Sequence, residues 1–400
     1  MNDHFELMDG QLRRACIRVI GVGGGGCNTV NQMAQAEIQD VEFLVANTDR
    51  DHLERCVPTN QLQLGPQLTR GLGAGSDPAK GRDAAEEDRD RIREALQGTD
   101  LLFVTAGMGG GTGTGAAPVI AQIARELGIL TVAVVTKPFN YEGKKRMSVA
   151  QKGIEELRQH VDSLIMIPNE KLRLVLGGKA TVQEGFKAAN DVLQNAVQGI
   201  SELITCPGLV HVDFADVVTV MSSRGMAMMG LGKASGDDRA QRAVEMALSS
   251  PLLDDLELSG ARGILVNISC DDTLTLDEHA YINEKISEIA SDEADIKCGT
   301  AFNPNLAGEL RVTVVATGLS GAKATASVPV APPGLFNPKV TPLTPQPVAR
   351  AQKFEDYEKP AIQREQPRRN LMGGSQAAAV LQEFDEEMLS IPAFLRNQAD

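Results

Sequence analysis

The sequence lacks any segment that hydropathy would assign to a membrane or to export. It has no run of about 18 uncharged apolar residues, the length that a transmembrane helix needs. Its amino terminus, MNDHFELMDG, has neither the basic start nor the apolar run of a secretory signal. We therefore expect a cytoplasmic protein without direct membrane insertion.

Closely spaced metal ligands are also lacking. The six cysteines form no C-x-x-C pair, and the five histidines form no H-E-x-x-H motif. Zinc sites usually show such spacing, and disulfide frameworks belong mainly to small secreted domains. We predict no structural metal, and we expect reduced, mainly buried thiols at Cys16, Cys27, Cys56, Cys206, Cys270 and Cys298.

Positive charge is scarce. Lysine and arginine together number 39 against 53 aspartates and glutamates, which gives a formal net charge of −14. Because binding to a nucleic-acid backbone needs a basic surface, we expect no nucleic-acid partner. We interpret the acidity as a solvated exterior that favours solubility.

The 400 residues suffice for two domains. Helical stretches, among them a charged amphipathic helix at 83–98, alternate with apolar runs at 17–22, 41–49, 101–107, 129–138 and 162–168. Strands that are apolar on both faces and separated by helices indicate a parallel sheet covered on both sides. The fold class is therefore α/β, with a Rossmann-like domain over 15–180.

The second half of the chain has a different pattern. We interpret 181–205 as a long central helix that connects two domains, followed by a smaller mixed α/β domain over 206–318. In that domain ADVVTVMSS, ARGILVNISC and ELRVTVVATG are predicted strands, and DDRAQRAVEMALSS and LDEHAYINEKISEIAS are predicted helices.

Both ends are predicted to lie outside the folded body. Residues 1–14 are expected to be flexible, and 319–375 to form a disordered linker, because nine of the 19 prolines fall there with little apolar periodicity. Apolar residues return at helical spacing in 376–400. Such a segment on a tether favours a partner-binding peptide, and the alternative is a tail that folds back on its own body.

Three glycine-rich loops point to a phosphate ligand. GVGGGG at 21–26 follows a predicted strand, opens a helix and precedes Asp49 at the end of the next strand, a pattern typical of a dinucleotide site. GMGGGTGTG at 107–115 and GLGAG at 71–75 exceed what one pyrophosphate needs and supply enough backbone N–H donors to surround a triphosphate. The P-loop motif G-x-x-x-x-G-K-[ST] does not occur.

These motifs together resemble the tubulin/FtsZ superfamily, and within it the bacterial cell-division GTPases of the FtsZ family. The resemblance covers about 15–318 and rests on GMGGGTGTG, GLGAG, NTD at 47–49, KPFNYEGKKR at 137–146, FKAAND at 186–191 and DFADV at 213–217. The terminal SIPAFLRNQAD is similar to the family's C-terminal peptide.

The resemblance implies that GTP and Mg²⁺ lie at the C-terminal edge of the first domain's sheet. Phosphates would be held by Gly24, Gly25, Gly26, Asn28, Gly111, Thr112 and Gly113. Glu142 and Arg146 would contact the ribose and phosphate side, unless they form an ordinary surface ion pair. Phe186 and Asn190 would hold the guanine, although Phe186 alone could be a core residue. The same site is expected to include Cys27, Asn47, Asp49, Ala74, Gly75, Gly109, Gly110, Thr114, Gly115 and Asn169.

The resemblance also implies that catalysis needs a second subunit. Asp213 and Asp216, in a loop with His211, would enter the neighbour's nucleotide site and polarise the attacking water. The alternative is that the two acids cap a helix. Such head-to-tail contacts build an open filament, here the mid-cell division ring beneath the inner membrane, and hydrolysis drives its disassembly. The C-terminal peptide would bind the membrane-anchoring proteins FtsA and ZipA.

Two positions depart from the family pattern. Cys27 replaces a further glycine, and it would strain the turn if the backbone there needed a positive φ. His211 stands where the family's loop has asparagine, and its imidazole titrates near neutral pH. We expect slower or more pH-sensitive turnover. Two other interpretations stay open: a scaffold that binds GTP and copolymerises with little hydrolysis, and, more remotely, an NAD-dependent oxidoreductase.

Overall fold

The structure is a computed structural model that describes residues 15–319, except 37, 39, 59, 178, 207, 209, 211, 224, 254–259 and 292. The predicted flexible amino terminus, nearly all of the predicted linker, the C-terminal peptide and His211 lie outside the described residues.

The described strands form one sheet in the order β3-β2-β1-β4-β5-β6-β7-β10-β8-β9. All neighbours are parallel except that β10 runs antiparallel to both β7 and β8. The predicted α/β class is confirmed. The strands are β1 (Ile17–Val22), β2 (Val41–Asn47), β3 (Asn60–Gln63), β4 (Leu101–Gly107), β5 (Leu130–Lys137), β6 (Ser163–Pro168), β7 (Gly225–Ser235), β8 (Gly263–Cys270), β9 (Asp295–Phe302) and β10 (Glu309–Leu319).

Helices cover both faces of this sheet. Short 3₁₀ turns also occur at Asn140–Glu142 and Pro304–Leu306. The α-helices of the described residues are α1 (Gly23–Gln35), α2 (Arg50–Leu53), α3 (Pro66–Thr69), α4 (Pro78–Glu87), α5 (Arg89–Leu96), α6 (Thr112–Glu126), α7 (Lys144–Arg158), α8 (Asn169–Leu176), α9 (Val182–Thr205), α10 (Phe214–Met221), α11 (Arg239–Leu248) and α12 (Leu276–Ile289).

The strand order reverses at β1. The chain passes from β1 through α1 to β2 on one side, and later returns to place β4 on the other side of β1. At such a switch point the loops that leave the carboxyl ends of the two strands diverge and open a crevice for a ligand. GVGGGG and GMGGGTGTG are the loops at this point.

Alternate side chains of each strand pack into two apolar layers, one on each face of the sheet. Ile17 and Val19 pack with the α1 and α9 side, whereas Ile20 and Val22 pack with the α4–α7 side. A third apolar cluster joins β7, β8 and β10 to α11 and α12. The near-continuous apolar strand runs are thus buried on both faces, as parallel strands require.

The two halves of the chain meet within the sheet. β6 pairs with β7 from Ser163 opposite Gly225 to Ile165 opposite Ala227. The long α9 lies beside this junction and contributes Leu193, Val197 and Ile200 to the same apolar layer as β8. The predicted domain boundaries stay a prediction.

The prediction of a strand at ADVVTVMSS is wrong, because Phe214–Met221 forms helix α10. Val217, Val220 and Met221 are buried, at the i, i+3, i+4 spacing of one helical face. The β-branched run favours a strand by intrinsic propensity, and tertiary packing overrides that preference.

The single helix predicted at 83–98 is also wrong, because the structure has two helices that meet at Asp88. This carboxylate is buried and accepts hydrogen bonds from the Gly65 amide and from Arg91. Strands β3, β7 and β9 were not predicted. Among the described residues no helix combines the length and hydropathy needed to span a bilayer.

Candidate nucleotide site

The first two glycine turns touch each other at the switch point. Gly23 has a left-handed backbone with φ +69°, and a Cβ there would lie 2.7 Å from the Gly113 amide nitrogen. A Cβ on Gly26 would lie 2.3 Å from the Thr105 carbonyl oxygen. Because real Cβ atoms do not approach so closely, glycine is what allows these backbones to meet.

The third loop, GLGAG, closes the other side. A Cβ on Gly111 would lie 2.9 Å from the Ala74 methyl group. The Arg50 amide donates to the Gly71 carbonyl at 3.0 Å, and Asp49 forms a bridge with Leu72. The structure therefore brings all three predicted loops together as one cradle of backbone.

The glycines of this cradle fall into two groups. Gly113 and Gly115 face backbone, and a Cβ on Gly115 would lie 2.0 Å from the Pro78 carbonyl oxygen. Around a Cβ on Gly24, Gly75 or Gly110, in contrast, no described atom lies within 4 Å. Neither packing nor a positive φ demands glycine at Gly24 or Gly110, so these two positions line the open face of the cradle.

The two threonines of the second turn bond within the protein. Thr114 accepts a hydrogen bond from the Gly109 amide at 2.9 Å, and the Thr112 hydroxyl lies 2.6 Å from that of Thr48. Both threonines are buried. Thr48, within the NTD motif, was missed as a contributor to the site.

A cavity of about 100 Å³ adjoins the cradle. Its volume is several times that needed for one water molecule. The fold here joins residues separated by more than 150 positions in sequence. Six predicted site residues line it: Gly25, Glu142, Arg146, Asn169, Phe186 and Asn190.

Helix α9 presents Phe186 and Asn190 to this cavity. The Phe186 ring is 42% exposed and packs edge-on against Phe139 at a centroid distance of 5.4 Å. It is therefore not the core residue that one interpretation allowed. The Asn190 side-chain oxygen accepts a hydrogen bond from Thr29 at 2.9 Å, which fixes the amide against α1.

Glu142 and Arg146 form an ion pair with 3.1 Å between Nε and Oε2. The Glu142 side chain is only 10% exposed and also accepts from the Phe139 amide at 2.8 Å. The ion pair is real, but it lines the cavity and is not a remote surface pair. The backbone holds the Glu142 carboxylate in place, whereas the Arg146 guanidinium is half exposed.

Asn169 begins α8 directly after β6. Its side chain is buried, and among the described residues its oxygen has no hydrogen-bond partner. Leaving such an oxygen without a donor costs about 1–3 kcal/mol. The atom is therefore a candidate to accept a hydrogen bond from a ligand.

The loop after β2 carries a polar network. Asn47 accepts from the Thr48 amide at 2.9 Å, and Asp49 caps α2 by accepting from the His52 amide at 3.1 Å. His52 lies between Asn47 and Asn28, 3.2 Å from the first amide and 3.1 Å from the second. Asn28 and Asn47 thus share one imidazole.

Cys27 does not strain the first turn. It lies within α1, it is fully buried, and it is not among the residues with positive φ. Burial and the neighbouring thiol of Cys56 raise the pKa of the Cys27 thiol far above its ordinary value.

The predicted catalytic acids lie away from the cradle. Asp213 occupies the N-cap position of α10 without a side-chain capping bond, and Asp216 pairs with Lys297 at 3.2 Å. From Asn190 to Thr205, α9 rises about 1.5 Å for each of 15 residues, or about 22 Å. Asp216 lies beside β9, at the edge of the sheet away from β1 and β4, so the structure does not bring it to the glycine loops of its own chain.

Family models match both halves of the chain. Residues 16–177 match the GTPase domain of the Tubulin/FtsZ family, and residues 225–320 match the C-terminal domain of the FtsZ family. The chain is 52% identical over 399 residues to cell division protein FtsZ of Azotobacter vinelandii, with 99% of this chain and 100% of that protein covered. It is 50% identical over 398 residues to the Pseudomonas aeruginosa protein, with the same coverage.

Solved structures agree with the sequence comparison. An FtsZ dimer of M. jannaschii is similar with a TM-score of 0.74 and 44% identity, over 77% of this chain and 89% of that one. CetZ2 of Haloferax volcanii, at 20% identity and a TM-score of 0.64 over 77% of this chain and 94% of that one, shares the fold. This chain therefore belongs to the FtsZ family of tubulin-like cell-division GTPases.

Proposed function

We propose that this GTPase binds GTP in the cradle and hydrolyses it only when a second copy supplies Asp213 and Asp216. Copies would then assemble head to tail into the filaments of the division ring, and hydrolysis would weaken the contacts that hold them. The observation that carries this proposal is that Asp216 pairs with Lys297 of β9, a strand six places along the sheet from β4, whereas the cradle lies at the ends of β1 and β4.

The cradle and the cavity fit a guanine nucleotide. Phosphate oxygens would accept from backbone amides around Gly24 and Gly110, where a side chain would fill the space. The Phe186 ring offers an exposed face for stacking, and the unpartnered Asn169 oxygen offers an acceptor for a base N–H group. Mg²⁺ would be held by phosphate oxygens, water and one or two carboxylates, which we assign to the neighbouring copy.

The acids cannot reach the cradle by a bend in α9. Ala196, Val197 and Ile200 are buried along the helix, and each contributes to the apolar layer over the sheet. Moving the carboxyl end of α9 by tens of ångströms would expose this layer to water. A second copy is the simpler source of the carboxylates.

Contacts of this kind join two different surfaces, so each added copy presents the same free surface as the last. Such heterologous contacts produce open filaments. An FtsZ from M. jannaschii that shares 44% identity has been solved as a dimer, which supports self-association. Membership of this GTPase family leaves the oxidoreductase interpretation without a basis.

Mixing two complementary variants tests the shared site. Gly110→Ala should lose nucleotide binding and keep the acids, whereas Asp216→Asn should bind nucleotide and lose turnover by about 10²-fold or more. An equimolar mixture should regain turnover, because some contacts combine an intact cradle with intact acids. No recovery, with both variants folded, would reject a site shared between copies.

Asp295→Asn is the matched control, because Asp295 also pairs with Lys297, at 3.5 Å, but lies outside the proposed machinery. It should keep full turnover. Turnover should also rise steeply with protein concentration in parallel with light scattering. A GTP-binding scaffold with little hydrolysis would scatter light without releasing phosphate.

Two finer expectations concern residues outside the described ones. The slower or pH-sensitive turnover assigned to His211 is tested by His211→Asn, which should raise the rate of GTP hydrolysis and flatten its pH profile.

Binding of the C-terminal peptide to FtsA and ZipA is tested by deleting 381–400. The deletion should spare assembly in solution and abolish anchor binding.

A further inference from the structure

Three metal-ligating side chains meet behind the first glycine turn. Cys27 lies in α1, His52 in α2, and Cys56 shortly after it, yet one ligand atom of each lies within 4.8 Å of the other two. Cys27 is fully buried, Cys56 is 8% exposed, and His52 is partly buried. No other group of three or more such side chains was found among the described residues.

The imidazole of this cluster is held on both sides by amides. His52 Nε2 lies 3.1 Å from the Asn28 oxygen, and His52 Nδ1 lies 3.2 Å from the Asn47 nitrogen. In protein metal sites one imidazole nitrogen binds the ion while the other hydrogen-bonds to an oxygen that orients the ring. His52 fits this pattern with the metal on Nδ1, because Nε2–H then donates to the Asn28 oxygen, while the Asn47 side-chain nitrogen beside Nδ1 gives up its place to the ion.

The cluster is better suited to a metal than to a disulfide. A disulfide would use the two sulfurs alone and leave His52 without a role. Both thiols are shielded from solvent, and metal ligation requires that they lose their protons to become thiolates. His52 is the only one of the three ligands that is partly exposed and not buried.

We propose that Cys27, His52 and Cys56 bind a thiophilic divalent cation, with Zn²⁺ as the best fit. Two thiolates and one imidazole form a set typical of zinc, and they leave a fourth tetrahedral position for water. Binding is a ligand exchange without oxidation or reduction. The hydrated cation gives up water ligands, gains two sulfur bonds and one nitrogen bond and keeps one water, and each thiol releases one proton to the buffer.

The site connects the metal to the nucleotide loops. Cys27 follows the first glycine turn directly, and the amides that hold His52 belong to Asn28 and Asn47, both predicted nucleotide-site residues. A bound cation would fix α1 against the loop after β2. If the proposed GTP site is correct, metal occupancy should change GTP affinity, and this coupling alone rests on the proposed function.

Zinc binding to the full-length protein tests the site without nucleotide. The protein is stripped with a chelator, kept in a phosphine reductant and titrated with Zn²⁺ against a chromophoric competitor. One ion per chain should bind. The heat of binding, measured by calorimetry in two buffers of different ionisation enthalpy, should differ because protons are released. Co²⁺ in place of Zn²⁺ should give sulfur-to-cobalt charge-transfer absorption.

Two separate ligand substitutions and a control substitution distinguish loss of the site from general unfolding. His52→Gln and Cys56→Ser should each weaken Zn²⁺ binding by about tenfold or more, while Cys206→Ser, a control at the end of α9, should not. Unchanged affinity in both variants, or an equal loss in the control, would overturn the metal site. Zinc binding without any change in GTP affinity would overturn only the coupling.

Discussion

Thr48 and Thr112 share a hydrogen bond of 2.6 Å between their hydroxyl oxygens, although 64 residues separate them in sequence. Thr48 follows β2, and Thr112 opens α6 after β4. The bond therefore ties together two loops that leave the sheet on opposite sides of β1. The backbone cradle is thus held together by side chains as well as by contacts between glycines.

Replacing Thr48 with valine should loosen this tie. Thr48→Val keeps the shape of the side chain and leaves the Thr112 hydroxyl without its partner. We expect the free energy of unfolding to fall by about 1–3 kcal/mol, measured by urea denaturation, together with weaker GTP binding. Thr219→Val, an exposed control on α10, should change stability by no more than about 0.5 kcal/mol. Equal effects in the two variants would contradict a stabilising role for the Thr48–Thr112 hydrogen bond.

Gly24→Ala should separate folding from nucleotide binding. Gly24 lies in α1 with no described atom within 4 Å of an added Cβ, so alanine should leave stability unchanged or raise it by up to about 1 kcal/mol. The methyl group would enter the space assigned to phosphate, and GTP affinity measured by calorimetry should fall at least tenfold. Gly260→Ala, equally open and far from the loops in sequence, should alter neither quantity.

Phe186→Ala should weaken binding of the base while sparing the fold. The ring is 42% exposed, and base–aromatic stacking contributes about 1–3 kcal/mol. We expect a loss of GTP affinity of about tenfold, with the thermal midpoint almost unchanged. Val182→Ala, at an exposed position of the same helix, serves as the control. A large fall in thermal midpoint for Phe186→Ala would show instead that the ring supports the core.

The Arg239–Glu278 pair should make stability depend on pH. Hydrogen bonds from Arg239, then from Thr275, lower the pKa of Glu278 from 4.5 to about 2. Because the folded-state pKa is the lower one, this stabilisation is complete above pH 4.5 and is lost as the pH falls toward 2. This pKa shift contributes about 3 kcal/mol to the free energy of unfolding.

Unfolding by urea at several pH values measures this effect. The stability difference between the wild type and Glu278→Gln should be largest near pH 6 and shrink by about 3 kcal/mol toward pH 2. Glu284→Gln, exposed on the same helix, is the control for general charge effects. If the stability difference between the wild type and Glu278→Gln stayed constant with pH, the ion pair would not lower the pKa of Glu278.

Several elements could be predicted from local sequence alone. β1 and β4 are apolar runs that end at glycine turns, and α9 starts at a capping box between Thr181 and Glu184. These signals depend on residues within a few positions of each other. The glycine loops also pointed to a phosphate ligand without any tertiary information.

Other elements required the packed structure. Gly230 and Gly232 weaken the strand signal of β7, yet a Cβ on either would lie within 2.0 Å of carbonyl oxygens of α11. These glycines are suited to close packing of helix on strand, which no local pattern reveals. The helix at ADVVTVMSS was missed for the same reason, since its buried face is defined only by its neighbours.

The sequence by itself determined the α/β class, the glycine loops and the family to which the chain belongs, because local spacing and composition carry these features. Only the tertiary structure decided that Phe186 faces a cavity, that Thr48 braces Thr112, and that Cys27, His52 and Cys56 meet. Such contacts join residues that are far apart in the chain, and the order of strands in the sheet is what brings them together.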